Sequence, residues 1–94
     1  MDQNFEWDEN KAKANLQAHK VSFEEAKTVF DDPLAITIPD PLHSIGEYRY
    51  TDIGRSSTGR ILVVVYTERG SNIRIISSRS STKSERRKYE EGYF

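Results

Sequence analysis

The side chains that could do acid–base chemistry on a phosphate are concentrated in the second half of this chain. They are a carboxylate, two tyrosines and four arginines: Glu47, Arg49, Tyr66, Arg74, Arg79, Arg86 and Tyr89. RNA cleavage by attack of its own 2′-oxygen needs a base for the hydroxyl proton, an acid for the leaving 5′-oxygen and cations around the transition state. These residue types supply all three parts without a metal ion. They are also compatible with surface ion pairs and with nucleic-acid binding that involves no catalysis.

The charge of the chain is divided between its two halves. The formal net charge of −1 conceals −6 over residues 1–47 and +5 over residues 48–94. The basic excess comes mainly from arginine, with eight arginines against two lysines, and it includes Arg60 and Arg87. Because the planar guanidinium binds phosphate bidentately, this composition favours a polyanionic partner such as RNA. A solvated charged surface is the alternative.

Length and composition exclude several other classes of protein. A chain of 94 residues has room for one domain, 1–94. There is no cysteine, which excludes disulfides and thiolate metal sites, and His19 and His43 lack the spacing of metal ligands. No phosphate-binding loop or dinucleotide motif is present, and we expect no cofactor and no metal. The polar N-terminus and the short apolar run at residues 61–65 predict a soluble, cytoplasmic protein with no membrane contact.

The first predicted helix covers residues 9–18 and is capped by Asp8. Its buried stripe is predicted to be Ala12, Leu16 and His19. A histidine at the end of a helix interacts favourably with the helix dipole, which is a structural role for His19. Its functional alternative is a catalytic acid or base.

Two further helices begin at capping boxes of the form Ser/Thr-x-x-Glu, at residues 22–25 and 82–85. The second helix is expected to stop before Pro33. The third is almost wholly polar apart from Tyr89 and is expected to end at Gly92.

Alternating and β-branched segments predict strands over residues 34–38, 47–53, 60–67 and 72–78. Pro39 and Pro41 are expected to end the first, because proline cannot donate to a sheet. Residues 5–7 are either a very short edge strand or an ordered lead-in. The fold class is therefore α+β: N-terminal helices packed on one side of a four-stranded, mainly antiparallel sheet, with a C-terminal helix on that side too.

Strand alternation makes a prediction about where the candidate residues lie. Glu47 and Arg49 are two residues apart and so share a face, and Arg74 points away from the face of Ile73 and Ile75. If the pattern holds across the sheet, the candidate residues converge on the face that the N-terminal helices leave free.

Several blocks along the chain together resemble one known family, the BrnT toxins. They are Trp7-Asp8, Asn15, His19-x-Val21-Ser22-Phe23-Glu24-Glu25-Ala26 with Phe30, Glu47-x-Arg49, Val64 to Gly70, Ile73 to Arg79, and Glu85-Arg86 with Tyr89-Glu90. The resemblance implies a fold related to RelE-type ribonuclease toxins and RNA cleavage that blocks translation. It also implies a BrnA-type antitoxin that neutralises the toxin, DNA being bound only through the antitoxin complex.

Carried over to this chain, the resemblance places Glu47, Arg49, Arg74, Arg79, Arg86 and Tyr89 in or beside the site. Glu47 is the expected base, with Tyr89 or a nearby arginine assisting the leaving group, and Arg49, Arg74 and Arg79 on the phosphate. His19 is a second candidate for proton transfer. Arg60, Tyr66, Arg86 and Arg87 are expected to bind RNA. Two other functions fit the same residues: a non-catalytic RNA-binding module, and an interaction protein that docks an acidic partner.

The chain departs from the family at three positions. Lys20 stands where glycine is common, which costs about 1 kcal/mol if the left-handed helix end is retained, so this end is expected to differ. Ser78 and Ser81 stand where alanine is common. These changes affect capping and packing more than chemistry.

Overall fold

The computed structural model describes residues 4–40 and 47–92, so His43 lies outside the described residues. In chain order the elements are β1 (Asn4–Glu6), α1 (Glu9–His19), α2 (Phe23–Ala26), a 3₁₀ helix (Lys27–Asp31), β2 (Ile36–Asp40), β3 (Arg49–Arg55), β4 (Ile61–Arg69), β5 (Asn72–Ser80) and α3 (Lys83–Glu91). Within the described residues no helix is long and apolar enough to cross a membrane.

The five strands form one mixed sheet in the order β1-β5-β4-β3-β2. Strands β2 to β5 are antiparallel neighbours, whereas β1 pairs with β5 in parallel. The α+β class is confirmed, but the predicted four-stranded sheet is wrong by one strand. Since β1 has only three residues, periodicity could not distinguish a strand from a lead-in.

The two faces of the sheet carry different helices. On β4, Leu62, Val64 and Tyr66 pack in one cluster with residues of α2 and the 3₁₀ helix, and α1 lies on the same side. We call this the α1 face. The alternate residues of β4 point to the opposite, α3 face, where Tyr89 of α3 packs with Ile36, Ile53, Ile61 and Val63. The expectation that all helices share one side is therefore wrong.

Helix α1 docks through a buried polar residue, and of its predicted stripe only Ala12 packs against the core. The Asp8 cap is confirmed, since its carboxylate accepts from the Lys11 N–H, but Leu16 is 48% exposed and His19 is also exposed. Asn15 is buried instead. Its side-chain nitrogen donates to the carbonyls of Val21 (3.0 Å) and Ser78 (2.8 Å), and its oxygen accepts from the Ser78 N–H (3.1 Å). The side-chain amide thus gives both backbone groups of Ser78 a hydrogen-bond partner and links α1 to β5.

The end of α1 keeps the left-handed conformation despite the missing glycine. Lys20 has φ 60 and ψ 31, and its N–H bonds to the Leu16 carbonyl. The expectation that this helix end differs is wrong, so Lys20 carries the conformational cost that a glycine would avoid.

The predicted second helix divides into α2 and the 3₁₀ helix, and only half of its capping box forms. Ser22 accepts from the Glu25 N–H (3.0 Å), but the Glu25 carboxylate is turned to Arg60 instead of to the helix start. The 3₁₀ helix lies close to β3 because Gly54 has no side chain: a Cβ there would be 2.8 Å from Val29 Cγ1 and 2.9 Å from Ala35 Cβ.

The boundaries of β2 differ from the prediction at both ends. It begins at Ile36 and continues to Asp40, with Pro39 opposite Tyr50. Proline is accommodated because β2 is an edge strand. At the other end of the chain the second capping box is confirmed in full, and Gly92 ends α3 in a left-handed conformation.

Candidate functional site

A row of polar residues crosses the α3 face. Arg49 of β3 and Arg74 of β5 are both opposite Thr67 of β4, and Arg74 is also opposite Glu6 of β1. Residues paired across neighbouring strands project on the same side of a sheet. The Arg74–Glu6 ion pair, at 2.8 Å, agrees with this placement. Two of the predicted phosphate-binding arginines are therefore neighbours on the predicted face.

Arg79 lies on the same face, farther along the strands. It pairs with Val63, four residues before Thr67 on β4, which corresponds to about 13 Å along the strand. Both terminal nitrogens of Arg79 donate to the Glu85 carboxylate at 2.8 Å, and Nη1 also donates to the Ser80 carbonyl (3.2 Å). Chiefly because of these hydrogen bonds, the pKa of Glu85 is lowered to about 2, so Glu85 is ionised at neutral pH.

A groove lies between Arg79 and the row that contains Arg49 and Arg74. Its volume is about 310 Å³. It is lined by Ile38, Pro39, Thr51, Ile53, Val63, Val65, Arg79, Glu85 and Lys88. Its lining is thus mainly apolar, with charged residues from β5 and α3 at its edge. A groove of this kind can hold a base against apolar side chains while cations contact the backbone phosphates.

Glu47 is at the opposite end of the α3 face from Arg79. Its carboxylate is 3.7 Å from Arg69, and Arg69 lies six residues beyond Val63, the partner of Arg79. That separation is about 20 Å along the strand. Glu47 and Arg49 are thus close together, whereas Glu47 and Arg79 are too far apart to contact one phosphate.

Tyr89 points between α3 and the 3₁₀ helix rather than into the groove. Its hydroxyl donates to Asp32 at 2.7 Å, and the Arg55 guanidinium lies 5.9 Å from its ring centroid. Burial and the Asp32 carboxylate raise the pKa of Tyr89. Together with Ser57 and other residues these three line an open pocket of about 490 Å³, distinct from the groove.

Tyr66 belongs to the α1 face. It is buried, its hydroxyl donates to Asp52 (2.9 Å), and its ring stacks on Tyr50 with centroids 5.5 Å apart. Burial first, and then the Asp52 carboxylate, raise its pKa. Burial also raises the pKa of Asp52, which accepts a further hydrogen bond from Thr37.

Arg60 and His19 are likewise away from the groove. Arg60 donates through Nε to Glu25 (3.0 Å) and through Nη2 to both Glu25 and the Lys20 carbonyl. Ser56 and Thr58 also donate to Glu25. These hydrogen bonds, those from Arg60 above all, lower the pKa of Glu25 to about 2. Arg60 thereby ties the β3–β4 turn to α2.

Arg86 and Arg87 lie on the exposed side of α3. Arg86 forms an ion pair with Glu90 one turn later, at 3.2 Å. Of the ten predicted site residues, the structure therefore places Glu47, Arg49, Arg74 and Arg79 on one sheet face, and Arg86 and Arg87 on the exposed side of the helix that packs there. Tyr89 packs on the same sheet face, but its hydroxyl is directed to Asp32 and not into the groove. His19, Arg60 and Tyr66 lie elsewhere.

Sequence reasoning missed the carboxylates that hold these arginines. Glu6 was assigned to a very short edge strand or a lead-in, and Glu85 was recognised only in a capping box and in the family resemblance. A carboxylate six residues after Arg79 is a weak signal, because nothing in the sequence shows that a turn brings the two together. Within the described part of the chain, no group of three or more His, Asp or Glu residues is arranged to hold a metal ion.

Comparison with known proteins gives the family. The family model described as "Ribonuclease toxin, BrnT, of type II toxin-antitoxin system" matches residues 7–85. The crystal structure of the Brucella abortus ribonuclease toxin BrnT has a similar fold, with a TM-score of 0.68 and 24% sequence identity over 87% of this chain and 100% of that one. A search of curated proteins gave no match. The chain belongs to the BrnT family of ribonuclease toxins of type II toxin–antitoxin systems.

Proposed function

We propose that this chain is an endoribonuclease that cleaves RNA on the α3 face of its sheet, as a single BrnT-like domain over residues 1–94. The observation that supports this most strongly is that Arg49, Arg74 and Arg79 share that face with an open groove. Spaced cations along a groove suit the regularly spaced phosphates of a single strand. The acidic half of the chain contributes α1 and α2, which lie on the other side.

The reaction proceeds through attack of the RNA 2′-oxygen and yields a 2′,3′-cyclic phosphate. Glu47 accepts the hydroxyl proton as the bond from the 2′-oxygen to phosphorus forms, and Arg49 and Arg74 stabilise the charge on the phosphorane. As the bond from phosphorus to the 5′-oxygen breaks, this oxygen is hydrogen-bonded by an arginine and takes its proton from water. Because Arg79 is about 20 Å from Glu47 along the strands, it contacts a different phosphate of the same strand. A carboxylate and arginines are sufficient for these steps, and we propose that cleavage needs no metal.

In the cell the protein acts in the cytoplasm, where RNA cleavage inhibits translation. A type II system implies an antitoxin partner, and we propose that it is a BrnA-like protein through which the complex binds DNA. The separation of Glu47 from Arg79 divides catalysis from binding. Loss of Glu47 is therefore expected to act on kcat, and loss of Arg79 on KM.

The test uses antitoxin-free protein and a structured RNA in excess chelator, with analysis of the fragment ends. Wild type is expected to give 2′,3′-cyclic phosphate ends. Glu47→Gln should lower kcat about 100-fold, and Arg79→Ala should raise KM about 10-fold with little change in kcat. Lys13→Ala removes an exposed cation from α1 and is the matched control, with both constants unchanged.

Two outcomes would contradict the proposal. If the wild type cleaves neither naked RNA nor RNA on translating ribosomes, but binds RNA with a steep salt dependence, the chain is a non-catalytic RNA-binding module. If Glu47→Gln cleaves as fast as wild type in chelator, the active centre lies elsewhere on the molecule.

A further inference from the structure

Arg79 has three of its five N–H donors occupied in a defined arrangement. Nη1 donates to Glu85 and to the Ser80 carbonyl, and Nη2 donates once to Glu85. Of the five donors of a guanidinium, the Nε–H and the second Nη2–H remain. Neither has a partner among the described residues. These two N–H groups are parallel on one edge of the guanidinium, the arrangement that binds a phosphate bidentately.

The Glu85 carboxylate is also held in a defined position by hydrogen bonds. Glu85 is the third residue of the α3 capping box, where its Oε1 accepts from the Thr82 N–H (2.9 Å) while the Thr82 hydroxyl accepts from the Glu85 N–H (3.2 Å). The carboxylate is therefore fixed by the helix start on one side and by two guanidinium nitrogens on the other. Arg79 and Glu85 both line the groove.

We infer that Glu85 is a positioning residue for RNA binding: it holds the Arg79 guanidinium so that its remaining edge is presented to an RNA phosphate. This inference rests on the proposed function and extends it to a residue outside the set of arginines. Arginine loses much rotamer freedom when it binds a ligand, and an arginine already held in place avoids most of that loss.

An opposite effect of Glu85 is also physically possible, and the two differ in sign. A carboxylate next to a bound phosphate repels it, which would weaken binding. The repulsion acts at longer range and is screened by salt, whereas the orientation of Arg79 depends on direct, partly buried hydrogen bonds to Glu85 and is less sensitive to salt. Positioning predicts that Glu85→Gln, which keeps the size and one acceptor oxygen, weakens binding.

The experiment measures kcat and KM for a short RNA in three single variants, Glu85→Gln, Thr82→Ala and Arg79→Ala. The same constants are measured in the double variant that combines Glu85→Gln with Arg79→Ala. Glu85→Gln is expected to raise KM about 3- to 10-fold with kcat unchanged. Thr82→Ala breaks the other half of the capping box and leaves Arg79–Glu85 intact, so its KM should stay within twofold of wild type. In the Arg79→Ala background Glu85→Gln should add nothing, since the two act through one contact.

Three results would overturn the inference: a KM for Glu85→Gln that is unchanged or lower, equal losses in Glu85→Gln and Thr82→Ala, or effects of Glu85 and Arg79 that add in full. NMR of the Arg79 guanidinium gives a readout that needs no cleavage. Its Nη protons should be resolved in wild type and Thr82→Ala and averaged in Glu85→Gln; unchanged spectra contradict positioning. A protein with these spectra that cleaves no RNA contradicts the proposed function alone.

Discussion

The two faces of the sheet contain the same kind of polar contact, but the contact has a different role on each face. Each face has an Arg–Glu pair whose carboxylate has a pKa of about 2: Arg60–Glu25 on the α1 face and Arg79–Glu85 on the α3 face. Glu25 also accepts hydrogen bonds from Ser56 and Thr58. In addition, Arg60 donates through Nη2 to the backbone carbonyl of Lys20 at the end of α1. Arg79 keeps one bidentate edge free among the described residues. Both arginines therefore use three of their five donors. The difference between the pairs is where the remaining two donors lie: side by side on one edge of the guanidinium in Arg79, and both on Nη1 in Arg60.

The comparison implies that polar side-chain groups on the α1 face stabilise the fold, whereas those on the α3 face contact the ligand. Variants on the α1 face test this comparison, and each is paired with a matched control variant. These variants should alter the free energy of unfolding while the folded protein keeps its RNA chemistry.

Asn15→Ala should have the largest effect. It removes three hydrogen bonds to the backbone of Val21 and Ser78 and leaves these buried groups without a partner. Each such group costs about 1–3 kcal/mol, so the loss of stability should reach about 3 kcal/mol or more. Gln17→Ala, two residues further along the same helix, removes an exposed amide and should stay within about 0.5 kcal/mol. Equal unfolding midpoints for the two variants in urea would show that Asn15 does not anchor α1.

Gly54→Ala should have the next largest effect, because the added Cβ would meet Val29 and Ala35 at under 3 Å. Overpacking of this kind costs about 1–3 kcal/mol. Gly70→Ala is the control: a Cβ there meets nothing within 4 Å, but φ is +58, so its cost of about 1 kcal/mol comes from backbone conformation alone. Thermal melts should rank Gly54→Ala below Gly70→Ala. A Gly54→Ala protein as stable as wild type would mean that the 3₁₀ helix moves freely away from β3.

These anchors also show what the sequence could and could not predict. Capping signals located α1 and both ends of α3 because a cap depends on neighbouring residues only. The strand core of β4 was equally clear, since its run of Val and Ile is local. Asn15, in contrast, faces the sheet because its amide bonds to Ser78, 63 residues away, and no hydrophobic period can reveal a polar anchor.

The same limit applies to the candidate site. Alternation predicted the face of Arg49 and of Arg74, since each position depends on strand parity. Arg79 is five residues after Arg74 and would point to the opposite face of a regular strand. The bulge between Ser77 and Ile75, where β4 passes from Val65 to Tyr66, returns Arg79 to the face of Arg74. Tyr66 falls on the opposite face by the same rule, because the neighbouring Thr67 is in the row with Arg49. Tyr89 could not be placed from sequence, since its direction depends on which side of the sheet α3 covers and on Asp32, 57 residues away.

Ser78→Ala should have the smallest effect and the opposite sign. The Ser78 side chain is buried on the α1 face, opposite Val64, and its hydroxyl has no hydrogen-bond partner among the described residues. A buried hydroxyl without a partner costs about 1 kcal/mol or more, so the alanine variant should be more stable by about 1 kcal/mol. Its backbone contacts to Asn15 do not change.

Ser77→Ala is the control for this gain, because Ser77 is the preceding residue, partly exposed, opposite Val65 on the α3 face. Its stability should stay within about 0.5 kcal/mol of wild type. The measurement is urea unfolding of both variants with equal m-values. If Ser78→Ala is destabilised, the hydroxyl has a partner in solution, and the α1 face is less dry than the structure indicates. If both variants gain alike, serine is merely unfavourable in β5 and the faces do not differ there.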